Sequence, residues 1–356
     1  MGKQGHERAN NVEFVRFAFS LIIVYFHMLR GQIMPFVGGQ KLYTTLQARC
    51  AWGGFIVECF LIMGGYFLYH SEARHRQQPF IEVFTDRLAR LWPVLAFSAA
   101  ISVIFFGMKK ERAVHEVSML FCTGIIADYE EYIWYIAPYF WSSMLIIALL
   151  RTFEKKRALL ILAVVAYLGY AVNLNVNHGG LGREVVFSFL SLAFVRVLAG
   201  LSLGVLLAAA MEAFVRRFGR STNVVFWTAV EVAALSFLIQ VFVIGKGRLT
   251  NMFIIVIAFA ALLVSFMNGA GMVGRALNLE VFGLLGRYSY SIYVMQDITF
   301  CLLRDTFWKH EGFLEAHVFG TFAISLAFAA LMGVGTYHLV EKPCLMLYQR
   351  WKTKRS

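Results

Sequence analysis

Phe14-Val-Arg-Phe-Ala-Phe-Ser-Leu-Ile-Ile-Val-Tyr-Phe-His-Met-Leu-Arg30 is an apolar run broken inside its ends only by Arg16, Ser20 and His27. Its length approaches the roughly 20 residues that carry an α-helix across a bilayer core. A basic flank, Lys3 and Arg8, would also suit a secretory signal. The run ends, however, in His27-Met-Leu-Arg-Gly31, without a small-x-small cleavage pattern, and further apolar runs follow it. It reads as a retained first membrane helix.

Similar runs recur at 50–69, 90–107, 134–150, 158–173, 189–210, 223–243, 251–268, 281–303 and 318–340. Composition agrees: 59% of the 356 residues are hydrophobic, only 15% are charged, and the mean hydropathy is +0.66. A soluble domain carries about 25% charged residues to cover its surface. The expected fold is therefore an all-α transmembrane bundle of about ten spans, a single membrane domain over 1–356. The segment 113–127 is apolar but interrupted by His115 and Glu116, and is expected to be re-entrant or interfacial.

The net charge of +12 does not point to nucleic acid, because Lys and Arg cluster in the short segments between apolar runs. Segments such as Arg151–Arg157, Arg216–Arg220 and the C-terminal tail carry the larger share. This bias places both termini in the cytoplasm. The five cysteines, Cys50, Cys59, Cys122, Cys301 and Cys344, are scattered and lack CxxC spacing. Neither a disulfide framework nor a zinc site is suggested, and no metal is expected.

A charge at the centre of a membrane helix costs at least about 2.5–3.5 kcal/mol, so each one asks for a reason. Arg16 and His27 are eleven residues apart, about 20° beyond three full turns and about 16 Å along the axis. Glu13 falls on the same face. Glu13 and Arg16 also fit a helix-start ion pair at the interface, and His27 a packed core residue. Glu58, in the second run, is expected at a depth near that of His27, where a carboxylate could hold the imidazole in one tautomer. A structural pairing with another helix is its alternative, as it is for Arg196 and Glu231. Arg87 and Arg90, spaced i, i+3 at the start of the third run, share a helix face. They can grip a phosphate or act as ordinary interfacial anchors.

At these residues the chain resembles the acyltransferase-3 family of bacterial membrane O-acyltransferases. Asn11-Val-Glu-Phe-Val-Arg16 through His27 is similar to that family's first helix, and Val57-Glu-Cys-Phe-Leu-Ile-Met-Gly-Gly-Tyr-Phe67 to its second. Arg87-Leu-Ala-Arg90 with Pro93, Tyr132-Ile-Trp-Tyr135, Arg196-Val-Leu-Ala-Gly200 with Gly204, Gly286-Arg-Tyr-Ser-Tyr-Ser-Ile-Tyr293 and Tyr337-His-Leu-Val-Glu-Lys-Pro343 follow in the family's order. One departure stands out: Gln296 occupies a position where the family usually carries His.

The resemblance implies transfer of an acyl group, usually acetyl from acetyl-CoA, to a hydroxyl of a cell-surface glycan or its lipid-linked precursor, in the bacterial cytoplasmic (inner) membrane. On that reading His27 is the catalytic base or an acyl-carrying nucleophile, and Glu58 orients it. Arg87 and Arg90 meet the CoA phosphates at the cytoplasmic boundary, and Arg16 lies on the path of the pantetheine arm. A secondary transporter or glycan-lipid permease is the rival reading, since buried charges also line substrate and proton paths. The internal repeats common in transporters are not visible in the sequence.

Overall fold

The computed structural model describes residues 9–33, 41–49, 53–126, 132–178, 180–187, 189–244, 252–309 and 317–354. Lys3, Arg8, Cys50 and the ends of the expected segments at 50–52, 127 and 251 lie outside the described residues. Helix makes up 83% of the structure, as an apolar chain requires when every backbone group must be satisfied within lipid.

The first run forms α1, Asn10–His27, which passes directly into a π-helical turn, Met28–Gln32. A short α2, Lys41–Arg49, precedes α3, Ile56–His75, and α4, Phe80–Phe105. Then come α5, Lys110–Ser118, α6, Ile136–Thr152, and α7, Lys155–Val176. A small antiparallel ladder pairs Val185–Val186 with Leu190–Ser191 before the long α8, Leu192–Phe218. The side chain of Asn223 caps α9, Val224–Ile239, by accepting from the Phe226 amide at 3.0 Å. Next is α10, Met252–Asn268. Four short helices follow: α11, Met272–Ala276, α12, Glu280–Gly286, α13, Ser289–Val294, and α14, Gln296–Leu303. The chain closes with α15, Val318–Thr336, and α16, Lys342–Thr353.

Among the described residues seven helical stretches are long and apolar enough to cross a membrane, where hydropathy alone expects about ten spans. The difference has two sources. The helices Ile136–Thr152 and Phe253–Asn268 are apolar but short; at 17 residues α6 reaches only about 25 Å. The expected span over 281–303 is broken into α12, α13 and α14. The 113–127 segment does not cross as a helix. It holds the nine-residue α5, which stops at Met119 in the left-handed region. The indoles of Trp92 and Trp141 donate to the carbonyls of Val117 and Met119 and tie this piece down.

Packing divides the chain into two compact units, where the sequence reads one domain. The first comprises 1–56 and 218–337, the second 57–217 and 338–356. In the first unit, α1 lies against α12, whose Gly283 and Gly286 face Asn10 and Glu13 so closely that a Cβ would overlap them. Phe14 packs on Phe282, and Phe19 on Phe242 and Phe259. In the second unit, α3 and α8 meet through Gly65 and Gly204, whose Cα atoms allow the two backbones to touch. Small residues at such crossings let membrane helices gain dispersion energy where lipid offers no hydrophobic drive.

The helix α4 belongs to the second unit and is held at its start by charge. Arg151 donates to both carboxylate oxygens of Glu72, at 2.7 and 3.1 Å, and to the carbonyls of His75 and Gln78 in the α3–α4 turn. From the other side, Lys352 on α16 meets Asp86 and Glu82, and the Tyr348 hydroxyl donates to Asp86. Pro93 lies inside α4 and cannot donate to the Ala89 carbonyl.

Candidate active site

In the first unit α1 is regular from Asn10 to His27, so the expected common face of Glu13, Arg16 and His27 is present as a helix face. At its start, Arg16 Nη1 donates to both Glu13 oxygens at 3.2 Å, the interfacial ion pair that the spacing allowed. Glu13 is pinned there by Gly286. At the other end, His27 is the last α-helical residue before the π-turn, and such turns loosen the ladder where a side chain is used. The segment is held by Phe26, which packs over Gly53 and under the Arg30 guanidinium, and by Tyr25 edge-on to Phe322.

His27 is half-buried, and its Nδ1 lies 2.8 Å from Oε1 of Gln296. Gln296 opens α14 just after Met295, where the helical path from α13 is interrupted. It is 0% exposed, and its amide nitrogen has no hydrogen-bond partner among the described residues. Broken helices inside an apolar layer are tolerated where the freed polar groups are used. Both members of this pair therefore sit at interruptions of regular helix. In the same unit the Gly286–Tyr293 motif meets the motif beginning at Tyr337, as Tyr288 packs edge-on to Tyr337 at 5.1 Å.

In the second unit Glu58 is fully buried, with each carboxylate oxygen bonded. Oε1 accepts from Arg196 Nε at 2.5 Å and Oε2 from the Tyr170 hydroxyl at 2.6 Å. The Arg196 guanidinium lies 5.0 Å over the Trp134 ring, within the aromatic motif Tyr132–Tyr135. The first unit supplies the Gln296 amide at His27 Nδ1, and the second commits Glu58 to the Arg196 guanidinium and the Tyr170 hydroxyl, the structural pairing that was the alternative for this carboxylate.

Glu231, in the first unit, is also buried and satisfied. It accepts from the backbone amides of Val273 and Gly274, at 2.9 and 3.1 Å, and from Ser265 at 3.0 Å. It is thus a cap for the start of α11, the structural role that was its alternative.

Arg87 and Arg90 occupy successive turns of α4, Arg87 half-buried and Arg90 exposed. Neither makes a hydrogen bond or ion pair among the described residues, while the nearby acids Glu82 and Asp86 are engaged by Lys352. Guanidinium groups with unspent donors can grip a phosphate-sized anion.

Gln296 is the site residue that the residue-by-residue reading missed as a partner. Its only signal was its departure from the motif that precedes it. No curated protein and no solved structure matches the chain. The family model Acyl_transf_3, an acyltransferase domain, matches residues 10–336. With that match over nearly its whole length, this helical membrane chain belongs to the acyltransferase-3 family.

Proposed function

We propose that the protein transfers an acyl group, acetyl in the first instance, from acyl-CoA to a hydroxyl of a cell-surface glycan or its lipid-linked precursor in a bacterial cytoplasmic membrane. The observation that supports this most is the His27–Gln296 pair: an imidazole in an apolar helix with its Nδ1 held by a neutral side chain. A neutral imidazole is the side chain best matched to proton transfer near neutral pH.

In this reading His27 Nε2 takes the proton of the acceptor hydroxyl as the oxygen attacks the thioester carbonyl. The carbon–sulfur bond breaks, and the imidazolium returns the proton to the departing thiolate of CoA. Transfer through an acyl group carried on His27 is a variant that uses the same nitrogen. Arg87 and Arg90 take the CoA phosphates. Arg16, on the His27 face of α1, is available to the rest of the donor. Glu58 supports this chemistry as half of the ion pair that joins α3, α7 and α8.

The test is purified protein in detergent with radiolabelled acetyl-CoA, comparing wild type, His27→Ala and Arg87→Ala/Arg90→Ala for CoA binding and CoA release. Wild type should bind and slowly deacetylate the donor, His27→Ala should bind without turnover, and the arginine pair should lose binding. If no variant binds CoA, the donor assignment fails and a permease-like role becomes the better account.

A further inference from the structure

The residue across from His27 is an amide, and an amide can present either an acceptor or a donor to an imidazole. Which one it presents decides what the ring can do. If the amide oxygen faces Nδ1, the ring keeps its proton there and Nε2 carries the lone pair. If the amide nitrogen faced Nδ1, the proton would sit on Nε2 and the ring could not accept one at that atom. The Gln296 oxygen is the atom at 2.8 Å from Nδ1, and the side chain is wholly buried at the α13–α14 break. Burial and the surrounding helices α1, α13 and α15 restrict its movement.

We infer that Gln296 is the positioning residue of His27: its amide oxygen accepts Nδ1–H and thereby reserves Nε2 for the acceptor hydroxyl. This rests on His27 acting as the base. Gln296 itself touches neither the donor nor the acceptor in this account. A neutral partner has a further consequence. A carboxylate would stabilise the imidazolium and hold the ring protonated to higher pH, whereas an amide selects the tautomer with far less effect on basicity.

The other ionisable groups on the elements that carry or pack on this pair are Glu13, Arg16, Tyr25 and Arg30 on the α1 segment, Lys41, Tyr43 and Arg49 on α2, Tyr288, Tyr290 and Tyr293 on or beside α13, and Asp297 and Cys301 on α14. Helix α15, Val318–Thr336, has none. These groups stay the same in the variants below, so differences among the variants report the change at 296.

Three variants and one spectrum test the inference. Gln296→Met keeps the volume and removes both hydrogen-bonding atoms; Gln296→Glu keeps an acceptor; Gln296→His restores the residue the family usually has. With CoA affinity unchanged, Gln296→Met should lower kcat by about 10²-fold, the scale of a mispositioned catalytic group. Gln296→Glu should retain turnover, with the acid limb of its kcat–pH profile moved to higher pH. Nitrogen-15 spectra of histidine-labelled wild type, with His27→Ala as the difference control, should show His27 protonated at Nδ1. A Gln296→Met enzyme with wild-type kcat and pH profile overturns the inference, and so does a His27 ring protonated at Nε2. Should Gln296→Met fail to accumulate, Gln296→Glu and the wild-type spectrum decide. If His27→Ala keeps full transfer, the functional reading itself has failed. If His27→Ala is inactive and Gln296→Met is normal, only the role of Gln296 has.

Discussion

The polar groups around Glu58 and those around His27 solve the same difficulty in opposite ways. Glu58 meets a full positive charge, a hydroxyl fills its second oxygen, and an aromatic face covers the guanidinium. Nothing in that cluster is spare. His27 meets a neutral amide, stays half-buried, and leaves the amide nitrogen of Gln296 buried and unpaired among the described residues. A closed ion pair stabilises an arrangement of helices and has little left to offer a substrate. An imidazole beside an incompletely satisfied amide tolerates an unmet hydrogen bond, which native interiors rarely allow without use.

That contrast can be broken by mutation, most decisively at His27. His27→Ala should reduce acyl transfer by about 10³-fold, within the range of general acid–base catalysis, while the melting temperature in detergent stays close to wild type. A large loss of thermal stability with transfer intact would reverse the assignment of the two clusters. Glu58→Ala should do the opposite, leaving Arg196 buried without its counter-charge at a cost of about 3–5 kcal/mol. The double variant Glu58→Leu/Arg196→Met should recover much of that stability, read as a melting temperature above that of Glu58→Ala.

A smaller effect sharpens the architectural side. Gly65→Val would drive a Cβ onto the Leu201 carbonyl where α3 crosses α8, costing about 1–3 kcal/mol as overpacking does. Gly335→Ala has open space around it and should leave the melting temperature unchanged or slightly raised.

The smallest effect belongs to an ion pair outside the long helices. The Asp305 carboxyl is held below its usual range by the Lys309 ammonium first and by Arg304 next, and it is exposed. A depressed carboxyl contributes stability above its unfolded value, about 3.9, and loses it as pH falls through the folded value. Asp305→Asn should therefore be hard to separate from wild type at physiological salt. Any difference in melting temperature should disappear in acid.

Much of the helical content could be read from hydropathy, because α1, α4, α7 and α8 are long, apolar and bounded by charge. The broken stretch over 281–303 was not legible as broken. Gly283, Gly286, Ser289 and Ser291 permit an interruption, but apolar content alone averages it away, and the break forms where α1 and α15 supply partners. The π-turn after His27 has no local signature for the same reason. At the site, the charges were conspicuous and their pairings were not. Spacing on one helix reports which side chains share a face, and so the Glu13–Arg16 pair was visible. Glu58 with Arg196, and His27 with Gln296, join residues 138 and 269 positions apart. No periodicity reaches that far. An absent charge is quieter still: Gln296 carries none, so a search for ionisable groups passes over it.

Pro93 gives α4 a mechanical character. Below it, the turns bearing Arg87 and Arg90 are bolted by Arg151 through the preceding turn and by Lys352 through Asp86 and Glu82. At Pro93 the backbone ladder skips a rung, and bending there is easier than anywhere else along the helix. The arginine-bearing end behaves as a fixed bracket with a compliant joint behind it. Thickening or thinning of the surrounding bilayer would then be taken up at and beyond the joint, and the turn bearing Arg87 would be insulated from it.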